Sequence, residues 1–337
     1  MSAPKKPYRD RWWKRALFWV ALAPVTYAPR RVRYGIADAV AWLLRRVLRY
    51  RRGVIDGNLA IAFPERTPAE RARIRDDFYA NFADLILEQV WAFGAREAEV
   101  LAMFEIPPAL PAAFERHRAA GRAVMVAAGH HNNYELGAAA LALAIPQPMS
   151  VIYSPLANKL FDHRVRESRE RFGAVLWPRG HVRELMRAWR ERYASFAVGF
   201  AFDQSPHRFR KKYWMPFFGR VTAVQPGLDL YARRLAAAVV FVSAERTGRG
   251  RYRLHVAEVC DDATALPPGE ATRRATAHLE AAIRREPSGW FWSHRRWKLD
   301  PARDRAAGDE EVAGDEEVAG DQEVAGDEEV AGGEEPA

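Results

Sequence analysis

The chain has 337 residues, of which 49% are hydrophobic and 12% aromatic, enough apolar mass for a sizeable core, which excludes global disorder. A single cysteine, Cys260, excludes a disulfide framework or a cysteine-based metal cluster and fits a reducing compartment. The net charge of +9 conceals an asymmetry: residues 308–337 hold thirteen Asp/Glu and no Lys/Arg, which leaves residues 1–307 at +22 and in need of an anionic partner such as nucleic acid, an anionic membrane face or an acidic protein.

Residues 1–60 carry fourteen Lys/Arg against three Asp/Glu. Within them "ALFWVALAPVTYA" (16–28) is apolar, with Trp12, Trp13 and Trp19 close by. Bulky and charged residues flank this run without a small-residue cleavage site, so no cleavable signal peptide is expected. The run falls short of the roughly 20 residues that span a bilayer, and Pro24 interrupts it. In the next segment Ile36, Val40, Leu43, Leu44, Val47 and Leu48 recur at helical spacing, and Arg45, Arg46 and Arg49 cluster at its end. Short apolar helices edged by aromatics and arginines suit a segment lying in the headgroup layer. The competing reading is ordinary core helices with a solvated basic face. No nucleic-acid motif accompanies the basic residues, so a nucleic-acid partner is not expected.

The middle of the chain alternates. Strands are predicted at 123–128, 149–153, 174–177, 196–202, 238–244 and 252–259. Helical patterns fall at 158–172, 182–193, 225–236 and 269–285. Short apolar strands separated by helices predict an α/β sandwich with a largely parallel central sheet, preceded by a helical membrane-associated segment. Sites in such folds collect where strands end.

One such end is "VMVAAGHHNNYELGAAALALA" (124–144). Gly129 permits a tight exit, Asn132 or Asn133 is placed to cap the following helix, and Glu135 falls in its first turn, where the helix dipole favours negative charge. His130 precedes the cap and is free to fold back on Glu135, and an imidazole oriented by a carboxylate is a general base. On residue types alone a capping Glu135 beside an incidental loop histidine explains the pattern as well. A metal pair of His130 and His131 lacks a third ligand at suitable spacing.

Six stretches, in order, resemble the late lauroyl/myristoyl acyltransferases that add secondary acyl chains to lipid A, a branch of the His-x4-Asp/Glu glycerolipid acyltransferases. They are "NLAIAFPERTPAERARI" (58–74), "GHHNNYELG" (129–137), "YSPLANKLFDHRVRESRERFG" (153–173), "VGFAFDQS" (198–205), "MPFFGRVTAVQPG" (215–227) and "WFWSHRRWK" (290–298). The similarity covers roughly residues 10–300. His131 and Asn132 depart from the family's usual aromatic and small residues, and Thr222-Ala-Val stands where a Pro-Ala run is usual.

The resemblance implies an acyltransferase domain over 51–300 and membrane-associated helices over 1–50. It implies transfer of a fatty acyl chain from acyl-carrier protein to a hydroxyl of a phosphorylated glycolipid at the cytoplasmic face of the inner membrane, with no cofactor and no metal. His130 becomes the general base and Glu135 its orienting partner. Arg169 matches the family's arginine and, with Arg166 one turn earlier, is placed to hold phosphate bidentately. Asp203 and Gln204, at a predicted strand end, orient the acceptor or steady Arg169, unless they form a simple turn before Pro206. The alternatives are another acceptor, such as an ornithine lipid, mannosylated inositol lipid or pigment-linked glycolipid, or a catalytically idle membrane-binding protein of the same fold.

Past residue 300 the sequence repeats "AGDEEV" every six residues, neither a helical nor a strand period, with only Ala and Val as apolar content. A disordered tail over 301–337 is expected. It acts either as a shield for the basic body or as a repeat without a role.

Overall fold

The structure, a computed structural model, describes residues 12–304 except 209 and 211. Residues 1–11 and the acidic repeat therefore lie outside the described residues. In chain order the helices and strands are α1 (Trp12–Thr26), α2 (Arg30–Trp42), which continues as a π-helical turn (Leu43–Val47), α3 (Arg52–Ala62), α4 (Pro68–Ala92), α5 (Glu97–Leu101), β1 (Phe104–Glu105), α6 (Ala109–Ala119), β2 (Val124–Ala128), α7 (Tyr134–Ala144), β3 (Met149–Tyr153), α8 (Lys159–Arg171), β4 (Ala174–Pro178), α9 (Val182–Arg192), β5 (Ala197–Ala201), β6 (Tyr213–Phe217), β7 (Arg220–Val224), α10 (Gly227–Leu235), β8 (Ala238–Gly248), β9 (Arg251–Cys260), α11 (Glu270–Arg285) and α12 (Pro301–Asp304).

Seven strands form one sheet in the order β1-β9-β8-β2-β5-β3-β4, parallel throughout except for the antiparallel β8–β9 pair. The central strand β2 is buried on both faces, as its unbroken apolar run requires. Met125 and Ala127 face one core with Leu228, Leu279 and Trp292. Val124 and Val126 face a second core with Leu136, Leu141 and Leu254. Helices thus cover both faces, as the sequence pattern predicts.

The longest helix, α4, begins where the sequence reads Thr-Pro-Ala-Glu. Thr67 accepts a hydrogen bond from the Glu70 backbone, Glu70 accepts one from Thr67, and Pro68 sits in the first turn. Its buried polar residues Asn81, Asp84 and Glu88 share one face. Asp84 pairs with Arg246 at 2.6 Å and Arg249 at 2.6 Å from the β8–β9 hairpin, and Arg249 reaches on to Asp38 of α2 at 2.6 Å. These ion pairs fasten the N-terminal helices to the sheet.

The N-terminal apolar stripe divides in two. Ile36, Val40 and Leu44 pack inward, whereas Trp42, Leu43, Val47 and Leu48 are exposed, together with Trp13, Val20, Tyr27 and Val32. No helix among the described residues is long and apolar enough to cross a membrane. The four residues of α12, at the start of the segment expected to be a tail, are helical, and Asp304 is buried.

Candidate active site

Strands β2 and β5 are parallel neighbours in register, with Ala128 opposite Ala201. Two residues past the first stands His130, and two residues past the second stands Asp203. Equal overshoot from paired strands brings their side chains together: His130 Nδ1 lies 2.6 Å from Asp203 Oδ1, and the His130 backbone N–H donates to Oδ2 at 2.9 Å. Trp290 Nε1 donates to the same oxygen at 2.8 Å. An ionised carboxylate only accepts, so in the neutral ring His130 Nδ1 carries the proton and Nε2 keeps its lone pair. The Gln204 amide nitrogen lies 3.3 Å from Nε2, and Tyr134 packs edge-on to the imidazole with ring centroids 4.6 Å apart.

Burial opposes the imidazolium, but the charge and hydrogen bond of Asp203 outweigh it, with Glu135 adding to them, so His130 sits above the ordinary histidine value. Asp203 is fully buried, which alone would raise its pKa; His130, Trp290 and the backbone N–H hold it well below the usual carboxylate range instead.

The expected partnership of His130 with Glu135 is corrected by this geometry. Glu135, in the first turn of α7, grips Arg169 of α8 in a bidentate pair, with Nε 2.9 Å from Oε2 and Nη2 2.5 Å from Oε1. The α-helical turn holds the Glu135 carboxylate out toward α8, and it acts on His130 only through space. Arg169 therefore spends two donors inside the protein. Burial pulls its pKa down, but Glu135 outweighs that and raises it. Arg166 does not join Arg169 at Glu135: it lies 3.8 Å from Glu170, one turn on, and over the Tyr153 ring. Asp203 bonds His130 rather than Arg169, and the Gln204 amide stands at His130 Nε2.

The rest of the "HHNN" run is structural. Asn133 caps α7, its Oδ1 accepting from Leu136 N at 3.0 Å, while its amide donates to the buried Glu88 at 2.6 Å. Glu88 also accepts from Tyr34 and Tyr252, each at 2.7 Å; burial still raises its pKa, with these donors opposing. Asn132 adopts φ +50°, a left-handed conformation that asparagine tolerates better than most residues. Its amide donates to Ala244 O at 2.9 Å and Glu286 Oε2 at 2.6 Å. His131 is buried against the Glu286 carbonyl at 3.0 Å, and burial lowers its pKa to about 4, so it is neutral at physiological pH. The second histidine thus serves the turn, and the first pairs with Asp203.

His130 opens onto a cavity of about 360 Å³ that runs over the sheet beneath α7. Its inner wall is apolar, formed in part by Val126, Val151, Val242 and Leu254. The small residues of "YELGAAALALA", Gly137 to Ala139, and Gly199 on β5 leave that space open, which accounts for the alanine-rich start of α7. At the mouth stand Glu135, Arg169, Arg179, Gln204 and Gln225.

The closing "WFWSHRRWK" block supports the site from behind. Besides Trp290, His294 Nε2 accepts from Ser205 N at 3.0 Å, and burial lowers the His294 pKa to about 4. Buried Arg296 donates to Ala223 O at 2.7 Å. Sequence reasoning assigned Trp290, Tyr134, Arg179 and Gln225 no part in the site; Tyr134, Gln225 and Trp290 lie within blocks already singled out, and Arg179 lies outside them. Among the described residues, His117, Glu258 and Asp261 bring ligand atoms close enough for a metal. Arg116 already supplies positive charge there, 2.9 Å from Glu258 and 3.4 Å from Asp261.

The family profile of bacterial lipid A biosynthesis acyltransferases matches residues 4–299. The lipid A biosynthesis palmitoleoyltransferase of Escherichia coli (strain K12) is 25% identical over 270 residues, 79% of this chain and 85% of that protein. The lipid A biosynthesis lauroyltransferase of the same strain is 24% identical over 304 residues, 86% of this chain and 93% of that protein. A lipid A biosynthesis acyltransferase of Haemophilus influenzae is 22% identical over 291 residues, 83% of this chain and 85% of that protein.

Proposed function

The chain belongs to the bacterial lipid A biosynthesis acyltransferase family, and from that premise we propose that it moves a fatty acyl chain from an acyl-carrier-protein thioester to a hydroxyl of a lipid A-type glycolipid. The observation that carries the reading is the His130–Asp203 pair at the mouth of a deep apolar cavity. His130 Nε2 takes the proton of the acceptor hydroxyl, whose oxygen attacks the thioester carbonyl. The C–S bond breaks as the tetrahedral intermediate collapses, and the imidazolium returns the proton to the departing thiol. Asp203 fixes the tautomer and stabilises the imidazolium. The acyl chain lies in the cavity beneath α7, where each buried CH₂ contributes about 0.8 kcal/mol. Arg169, oriented by Glu135, and Arg179 face the anionic substrates at the rim.

Comparison of total lipids by mass spectrometry with and without the gene tests this reading. The expected result is one acyl chain missing from a lipid A-type species on deletion, restored by the wild-type gene. An unchanged lipid profile, together with no transfer by the purified protein, overturns it.

Attachment to the inner membrane at its cytoplasmic face is part of the proposal. Among the described residues, eight exposed large apolar side chains lie from Trp13 to Leu48, interspersed with exposed Arg30, Arg31, Arg46 and Arg49. Phe18 of α1 packs at a tilt against Phe93, which meets Phe161 of α8; Phe161 is exposed, as is Leu156, which lines the cavity. Apolar packing thus links the N-terminal helices to α8 beside the site, where a lipid acceptor arrives. Deleting residues 12–50 should weaken membrane binding severely, whereas high salt should release the intact protein only in part, because screening removes the charge attraction and leaves apolar burial. Fractionation checks both; an intact protein fully soluble without detergent contradicts the attachment.

A further inference from the structure

The loop after Asp203 and Gln204 carries a group of cations. Buried Lys212 donates to the carbonyls of Arg208 at 2.8 Å and Arg210 at 3.0 Å, which ties the loop down from inside. Arg208 and Arg210 are exposed. Across the mouth, Arg179 donates to Gln225 at 2.9 Å, and Gln225 reaches the Gln204 carbonyl at 3.4 Å. Burial and then the nearby charge of Arg210 lower the Arg179 pKa, which places the two guanidiniums in one electrostatic neighbourhood. A basic rim of Arg179, Arg208 and Arg210 therefore lies on the side of the cavity that Arg179 lines.

The chain ends its described course at this rim. Asp304, the last described residue, is seated on Arg208, with Nε 2.8 Å from Oδ1. Four residues later begins the stretch 308–337, with thirteen carboxylates and no Lys/Arg. Thirty residues can cover about 45 Å even if wound as a helix, and more if extended. Length, point of departure and charge all match this occupant.

We infer that the acidic repeat of residues 308–337 docks on the basic rim formed by Arg179, Arg208 and Arg210 and competes there with the anionic substrates of the site. The inference rests on the reading that those substrates pass this rim. A tethered segment acts at an effective concentration of about 1 mM. If the free segment binds with a Kd of about 0.1–0.5 mM, tethering raises the apparent KM of an anionic substrate about three- to tenfold and leaves kcat unchanged.

The test compares the full chain with a full-length variant in which all thirteen tail carboxylates are changed, Asp→Asn and Glu→Gln. A synthetic peptide of residues 308–337 is titrated by calorimetry into that variant at low salt. Binding is expected, weakened at least tenfold when Arg179→Gln, Arg208→Gln and Arg210→Gln are added, and lost at high salt as screening shortens the reach of charge. The neutral-tail variant should show the lower KM for acyl-carrier-protein donor at low salt, with the difference closing in high salt. Peptide binding that is absent, or indifferent to the three arginines, overturns the inference. Should the triple variant not fold, an amide-for-carboxylate version of the peptide replaces that arm, and equal binding of both peptides overturns it. The binding arm needs no turnover, so failure of the acyl-transfer reading shows separately, as an absence of transfer by the full chain.

Discussion

His130→Ala is expected to lower acyl transfer by about 10²–10⁴-fold, the usual range for loss of a general base, while the thermal midpoint stays close to that of the unsubstituted protein. The imidazole is partly open to the cavity, and the bonds that shape its turn come from neighbouring residues: Asn133 caps α7, Asn132 ties to Ala244 and Glu286, and the His130 backbone N–H on Asp203 survives the substitution. His131→Ala should behave in the opposite sense. That ring is buried and bonded to the Glu286 carbonyl, so its loss leaves a void and an unsatisfied acceptor, costing about 1–3 kcal/mol of stability, with a far milder effect on rate. Single-turnover transfer from acyl-carrier protein, with melts on the same variants, checks both. A normally folded, active His130→Ala enzyme rules out the mechanism and leaves the family and the fold standing.

The contrast between adjacent histidines shows where sequence reasoning stops. The apolar runs marked β2, β3, β4 and β5 to within a residue or so at each end, because a strand covered on both faces must be apolar throughout. Helices α8, α9, α10 and α11 announced themselves by period. The turn at 129–133 was legible as a candidate site, since polar residues end a buried strand there. The identity of the carboxylate beside His130 was not. Glu135 is near in sequence and Asp203 is 73 residues away, yet strand order decides which one meets the ring, and order is a tertiary property. The hairpin of β6 and β7 was hidden for a different reason. Its two-residue turn puts Phe218 at φ +52° and Gly219 at φ +70°, and a phenylalanine is a poor signal for a left-handed turn position. At the N-terminus, helical spacing grouped Leu43, Leu44, Val47 and Leu48 on one stripe. The π-helical turn at 43–47 changes the angular step, and only Leu44 of the four packs against the core.

Asp203→Asn separates the two carboxylates by function. It keeps the shape of the side chain while removing its charge, and an amide can offer its NH₂ to Nδ1 and force the wrong tautomer. The comparable change in serine proteases costs about 10⁴-fold, and a fall of about 10³–10⁴-fold is expected here. The pH profile carries the sign. In the unsubstituted enzyme His130 must be neutral to accept a proton, and its pKa is raised, so kcat/KM should climb with pH through a midpoint above the ordinary histidine value. Without the Asp203 charge, burial is no longer outweighed and disfavours the imidazolium, so the residual activity should climb through a lower midpoint. Glu135→Gln should leave that midpoint lower by a smaller step and reduce the rate only about tenfold, because its direct partner is Arg169 and it reaches His130 through space alone. Rate–pH profiles of the three proteins decide the matter. If Glu135→Gln proves the more damaging substitution and Asp203→Asn leaves the midpoint in place, Glu135 rather than Asp203 governs the base, and the pair seen across β2 and β5 serves only to hold the turn.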